Sequence, residues 1–148
     1  GEARPAALVL FCAHGLPERR VRTGDVYREH VARTAAAAAP HLGGAPSSIC
    51  YQSRLGPTRW TGPELDAEMA RLAAGGARRL TVVPVSFVCE NLETLYDLDI
   101  VAAARARELG FASFARLPVA GEHPALVRAL AGVVRRAIAA AEGGRDAA

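Results

Sequence analysis

The chain has 148 residues, of which 51% are hydrophobic and 22% charged, and its formal net charge at pH 7 is +3. A chain of this size and composition can bury a substantial core, which excludes an intrinsically disordered protein. No apolar run approaches the ~20 residues that span a bilayer, and the scattered arginines lack the broad basic face of a nucleic-acid-binding protein.

Strands and helices are predicted to alternate along the chain. The apolar run 6–12 predicts a buried strand, and residues 25–39 predict a helix with Asp25 as its N-cap. The other predicted strands are 48–52, 78–84 and 112–117, and the other predicted helices are 64–74, about 92–109 with Asn91 as its cap, and 123–141.

This alternation predicts an α/β fold, in which a four-stranded parallel sheet carries helices on both faces. The amphipathic helix 123–141 is expected to pack on the sheet, because a helix of this fold covers a sheet face. Ligands of such folds bind beyond the carboxyl ends of the strands.

Polar side chains follow several of the predicted strands. Because the carboxyl ends of parallel strands meet at one edge of a sheet, we expect these side chains to lie close together. They are His14, Gln52, Ser53, Ser86 and Glu93.

A histidine opposite carboxylates can take protons from a buried substrate and hold a divalent metal. Glu93 and Asp97 are four residues apart and therefore share one face of their helix. The same patterns also fit a turn histidine bonded to a nearby carbonyl, and acids that favour a helix N-terminus. The residues alone leave these interpretations open.

Cys12, Cys50 and Cys89 are odd in number and well separated. This usage is typical of reduced thiols and predicts a cytoplasmic protein, while a soft-metal site at the sheet edge stays open.

Four motifs resemble the ferrochelatase family, in order and spacing over about residues 8–135. They are Cys-Ala-His-Gly-Leu-Pro at 12–17, Gly-Asp-Val-Tyr at 24–27, Tyr-Gln-Ser-Arg-Leu-Gly-Pro at 51–57 with Trp60, and the segments 83–88 and 92–99, which lie before and along the predicted helix that carries Glu93 and Asp97.

The resemblance implies a flavodoxin-like, chelatase-type half-domain of an enzyme that inserts Fe²⁺ into a porphyrin, protoporphyrin IX or coproporphyrin III, during heme biosynthesis. Residues 1–148 resemble only the carboxy-terminal half of that enzyme, and the amino-terminal half is the implied partner. The chain begins with Gly1 and its only methionine is Met69, so an excised piece is expected. A peripheral membrane contact stays open, and no nucleic-acid partner is expected.

By resemblance, His14 and Glu93 are the catalytic pair and also metal ligands, and Asp97 is a third metal ligand. The other polar residues of the edge, Gln52, Ser53 and Ser86, are expected to bind the substrate. Which of His14 and Glu93 accepts protons and which delivers iron stays open.

Two positions depart from the family pattern. Many relatives have histidine at the position of Asn91. They often have an acid at the position of Val101, so the acidic row that Glu93 and Asp97 form along the helix is shorter here. Some members hold a 2Fe–2S cluster with cysteines of a carboxy-terminal extension. This chain has no cysteine after Cys89, so no cluster and no cofactor beyond the substrate Fe²⁺ are expected.

Two other functions remain alternatives. One is a self-sufficient homodimeric small chelatase of the cobalt or sirohydrochlorin type, in which two copies form the cleft. The other is a tetrapyrrole-binding module without catalysis.

Overall fold

The computed structural model describes residues 7–53 and 56–143. The strands are β1 (Leu8–His14), β2 (Ser47–Gln52), β3 (Arg79–Pro84) and β4 (Ser113–Arg116). The helices are α1 (Glu18–Arg22), α2 (Tyr27–Ala38), a 3₁₀ turn (Ala39–His41), α3 (Leu65–Ala74), a π-helix (Glu93–Ala102), α4 (Ala103–Glu108) and α5 (Pro124–Gly143).

The four strands form one sheet in the order β2-β1-β3-β4, and every pair is parallel. The predicted α/β fold is therefore confirmed. Strand β2 lies on one side of β1, and β3 lies on the other side. The strand order therefore reverses at β1. His14, the last residue of β1, lies in register with Gln52, the last residue of β2. The carboxyl end of β1 is the crevice in which ligands of this architecture bind.

The two faces of the sheet have separate cores. Leu10, Leu80 and Val82 pack under α3, the π-helix and α4, together with Met69 and Leu98. On the opposite face, Val9 and Phe11 pack against Ala35 of α2. The alternation along β1 buries both faces of the strand, which holds its carboxyl end in a fixed place.

The helix predicted from about residue 92 begins as a π-helix. Asn91 caps it as expected, because its Oδ1 accepts hydrogen bonds from the amides of Glu93 (2.8 Å) and Thr94 (3.2 Å). The π-helical geometry of this first part was not predicted, and neither was the short helix α1. π-Helical segments are uncommon and occur frequently at functional sites.

Helix α5 does not cover the sheet, so the expectation for residues 123–141 is wrong. No residue of α5 is buried. Its apolar stripe of Val127, Leu130, Val134 and Ile138 remains about half exposed. Among the described helices, α5 included, none is both long and apolar enough to cross a membrane.

Arg116 ties the end of β4 to the π-helix. Its Nε and Nη2 donate to the two carboxylate oxygens of Asp99 at 2.7 and 2.6 Å, and its Nη1 donates to Glu90 at 2.7 Å. The Arg116 side chain is only 8% exposed, so these ion pairs are partly shielded from water. Asp99 therefore points away from the predicted active site, into an ion pair with the shielded Arg116 side chain.

We expect Arg116→Met to destabilise the fold by about 1–2 kcal/mol, because it removes the hydrogen bonds of two carboxylates that are themselves still partly solvated. Hydrogen bonding to Arg116 lowers the pKa of Glu90, so this part of the stability is present at neutral pH. It is lost as the pH falls through the pKa that Glu90 has in the folded protein. Urea denaturation at neutral and acid pH measures both effects.

Arg107→Met serves as the control, since the Arg107 side chain is exposed on α4. Equal urea midpoints for the two variants would contradict a structural role of the Arg116 ion pairs.

Candidate active site

His14 and Glu93 form a hydrogen-bonded pair at the carboxyl end of β1. The Nδ1 atom of His14 lies 2.8 Å from Oε2 of Glu93, and the two side chains are 37% and 34% exposed. With Glu93 ionised, Nδ1 carries the ring proton and donates a hydrogen bond to the carboxylate. The lone pair of Nε2 is then available. The pair is thus accessible from one side and can offer a base or a metal ligand.

The backbone of His14 is fixed from two sides. Its amide donates to Oγ of Ser86 at 2.8 Å, and its carbonyl accepts from the hydroxyl of Tyr27 at 2.9 Å. Burial raises the pKa of Tyr27, so this hydroxyl keeps the proton that it donates. Ser86 lies just after β3, as predicted, and its hydroxyl contacts the protein backbone.

Glu93 accepts two further hydrogen bonds, from the hydroxyl of Ser53 at 2.8 Å and from Nε2 of Gln52 at 3.1 Å. Burial raises the pKa of the Glu93 carboxyl, but the hydrogen bonds from His14, Ser53 and Gln52 lower it, and the net shift is downward. Glu93 is therefore ionised at neutral pH, as a ligand of a divalent cation must be.

A loop crossing holds the segments after β1 and β2 together. The amide of Leu16 donates to Oγ1 of Thr61 at 3.0 Å, and the amide of Thr61 donates to the carbonyl of Leu16 at 2.8 Å. This crossing places the Trp60 ring edge-on to the His14 ring, with centroids 6.4 Å apart. Trp60 therefore forms one wall of the site.

Asp97 lies beside the pair, in a cavity of 520 Å³ between α3 and the π-helix. Burial and the negative charge of Glu93 raise its pKa. Val101 and Arg105 continue the same side of the helix and also line the cavity. Arg105 is paired with Asp66 at 2.6 Å, so the acidic row is followed by an apolar residue and then by a neutralised cation.

Within 7–53 and 56–143, no group of three or more His, Cys, Asp or Glu side chains is arranged to hold a metal ion. Cys12 and Cys50 are buried neighbours in the sheet, whereas Cys89 is exposed in the loop after β3. The structure therefore does not bring the three thiols together into the soft-metal site that the sequence left open.

Of the residues predicted to share a site, the structure brings together His14, Gln52, Ser53, Ser86 and Glu93. The sequence interpretation missed Tyr27 and Gly15 as parts of the site. Tyr27 stands in one of the quoted motifs, which was the available signal. The importance of Gly15 depends on a close approach of two strand ends, which appears only in three dimensions.

The fold is of the chelatase type, an α/β architecture built on a four-stranded parallel sheet. A putative cobalamin biosynthesis CbiX protein from Marinobacter aquaeolei has a similar structure, with a TM-score of 0.66 and 21% sequence identity, over 89% of this chain and 97% of the other. The likeness concerns the fold. The ferrochelatase profile matches residues 2–138, and the chain belongs to the ferrochelatase family.

Three curated ferrochelatases illustrate the relationship. The protein from Caulobacter vibrioides is 42% identical over 138 residues, which are 91% of this chain and 39% of that relative. Those from a Sulfurihydrogenibium species and a Nostoc species are 40% and 39% identical, over 82% and 85% of this chain and 36% and 33% of each relative. The chain therefore spans between a third and two fifths of the length of these relatives.

Proposed function

We propose that this chain is the carboxy-terminal catalytic half of an enzyme that inserts Fe²⁺ into a porphyrin. The observation that carries the proposal is the 2.8 Å bond between His14 Nδ1 and Glu93 Oε2 at the carboxyl end of β1, in a chain of the ferrochelatase family. The amino-terminal part of the same enzyme would form the opposite wall of the porphyrin cleft.

The His14–Glu93 pair offers the groups that metal insertion into a porphyrin requires. Two N–H protons leave the macrocycle as the divalent metal enters, so the site needs a proton acceptor and a negative charge for the cation. Nε2 of His14 supplies the lone pair, and Glu93 supplies the charge. Asp97 adds a second carboxyl close to Glu93, and burial and the charge of Glu93 raise its pKa.

The test is porphyrin metallation by the 148-residue chain alone and by the full-length product of its gene. Protoporphyrin IX and coproporphyrin III are offered with Fe²⁺ or Zn²⁺, and the Soret band reports insertion. Activity confined to the full-length product supports the proposal, because the missing cleft wall removes the orientation that contributes several kcal/mol to catalysis.

Two other outcomes would replace the proposal. Activity of the chain alone, as a dimer, selects the self-sufficient small chelatase, an alternative that the near-complete overlap with the CbiX protein keeps open. Porphyrin binding without insertion in either protein leaves a binding module, and the roles of His14 and Glu93 would then be wrong.

A further inference from the structure

Three donors converge on a single oxygen of Glu93. Nδ1 of His14, Oγ of Ser53 and Nε2 of Gln52 all contact Oε2, at 2.8, 2.8 and 3.1 Å. Among the residues that the structure describes, none donates to Oε1. One carboxylate oxygen is therefore committed to contacts within the protein.

The orientation of Gln52 is itself fixed. Its side chain is 4% exposed, and its Oε1 accepts a hydrogen bond from the thiol of Cys12 across the sheet at 3.8 Å. With the carbonyl oxygen turned toward Cys12, the amide nitrogen faces Glu93. Cys12, Gln52 and Glu93 thus form a chain of contacts that leads from the core to the site.

Ser53 reaches Glu93 from a strained backbone. Its φ of +67° lies in the left-handed region, and no other described non-glycine residue has a positive φ. Non-glycine residues in this region are uncommon and cluster at functional sites, where the surrounding structure enforces them. Here the amide of Gly15 donates to the Gln52 carbonyl at 2.6 Å and fixes the turn before Ser53.

We propose that Gln52 and Ser53 are positioning residues, which act on the reaction through Glu93 and do not contact the porphyrin. They hold Oε2 of Glu93 against Nδ1 of His14, so that Oε1 of Glu93 and Nε2 of His14 are presented to the metal and the macrocycle. The inference deepens the proposed function and rests on it. It assigns to Gln52 and Ser53 a different role from the substrate contact expected from the sequence.

The kinetic test compares Ser53→Ala, Ser53→Gly and Gln52→Met in the full-length gene product. Each removes a hydrogen bond to an ionised carboxylate, and we expect kcat to fall about tenfold to a hundredfold while KM for the porphyrin stays within twofold. Ser47→Ala, a change at an exposed residue of the same strand, is the control and is expected to leave both constants unchanged.

Each contrary kinetic result overturns the proposal. A raised porphyrin KM with an unchanged kcat would show direct substrate contact. If Ser53→Gly were as fast as the unchanged protein and only Ser53→Ala were slow, the backbone turn would matter and the hydroxyl would not. Unchanged kinetics in all three variants would show that Glu93 functions without the hydrogen bonds from Ser53 and Gln52.

A second measurement does not depend on activity. The proton on His14 Nδ1, bonded to Glu93, is expected to give a downfield NMR resonance that persists in Ser47→Ala and is lost or shifted in the Ser53 and Gln52 variants. If the resonance behaves so in a protein that metallates no porphyrin, the positioning is right and the proposed function is wrong. A resonance that is unaffected by the Ser53 and Gln52 changes overturns the positioning, even in an active enzyme.

Discussion

Replacing His14 by alanine in the full-length gene product is expected to slow metal insertion by about 10²–10⁴-fold, the usual contribution of a positioned base. The change removes the lone pair of Nε2 and also one of the three hydrogen bonds to Glu93 Oε2. The fold should survive, because the His14 side chain is 37% exposed and its backbone contacts do not depend on the ring. Steady-state kinetics by the Soret shift, together with a urea midpoint, measure both effects.

The matched control is His30→Ala, on the exposed surface of α2, for which the rate should stay unchanged. A rate for His14→Ala within about threefold of the unchanged protein would contradict a role of His14 in proton transfer or metal binding, whatever the role of Glu93.

Gly15→Ala is expected to damage both stability and catalysis. A Cβ atom at Gly15 would lie 2.9 Å from the carbonyl oxygen of Ser53 and 3.0 Å from that of Gln52. These are backbone atoms that cannot rotate away, so the ends of β1 and β2 must separate. Overpacking of this kind typically costs about 1–3 kcal/mol. We also expect kcat to fall more than tenfold, because displacement of reacting groups by about 1 Å can cost 10²-fold.

The measurements are the urea midpoint and kcat of the full-length gene product, and Gly132→Ala is the control. Gly132 lies within α5, where alanine is the better helix former, and the nearest atom to its added Cβ is the flexible end of Arg136 at 3.4 Å. The control should be no less stable than the unchanged protein. A Gly15→Ala protein of full stability and activity would show that the two strand ends can move apart freely.

The sequence was sufficient for the sheet, because the central strands β1 and β3 contain apolar runs whose burial does not depend on distant details. Placement of His14, Gln52 and Ser86 at one edge then follows from parallel topology alone. The Asn91 cap was predictable too, since it depends only on amides two and three residues away.

Features that depend on distant partners could not be predicted. The hydroxyl of Ser53 finds Glu93 forty residues later, and the Asp99 carboxylate finds Arg116 seventeen residues later. An amphipathic pattern shows that α5 has an apolar stripe, but it does not say what the stripe contacts. The π-helical hydrogen bonding differs from the α-helical pattern by one residue, a difference that composition does not encode.

The central position of β1 has a consequence for how the site responds to heat. Amides of a strand paired on both sides exchange with solvent only when the whole domain unfolds, whereas exposed loops open locally at a much smaller free-energy cost. His14 ends the strand whose residues Val9–Cys12 are paired on both sides, while Glu93 follows the largely exposed loop 85–91. Warming should therefore separate the two side chains while the sheet is still intact, so that activity disappears at a lower temperature than the fold.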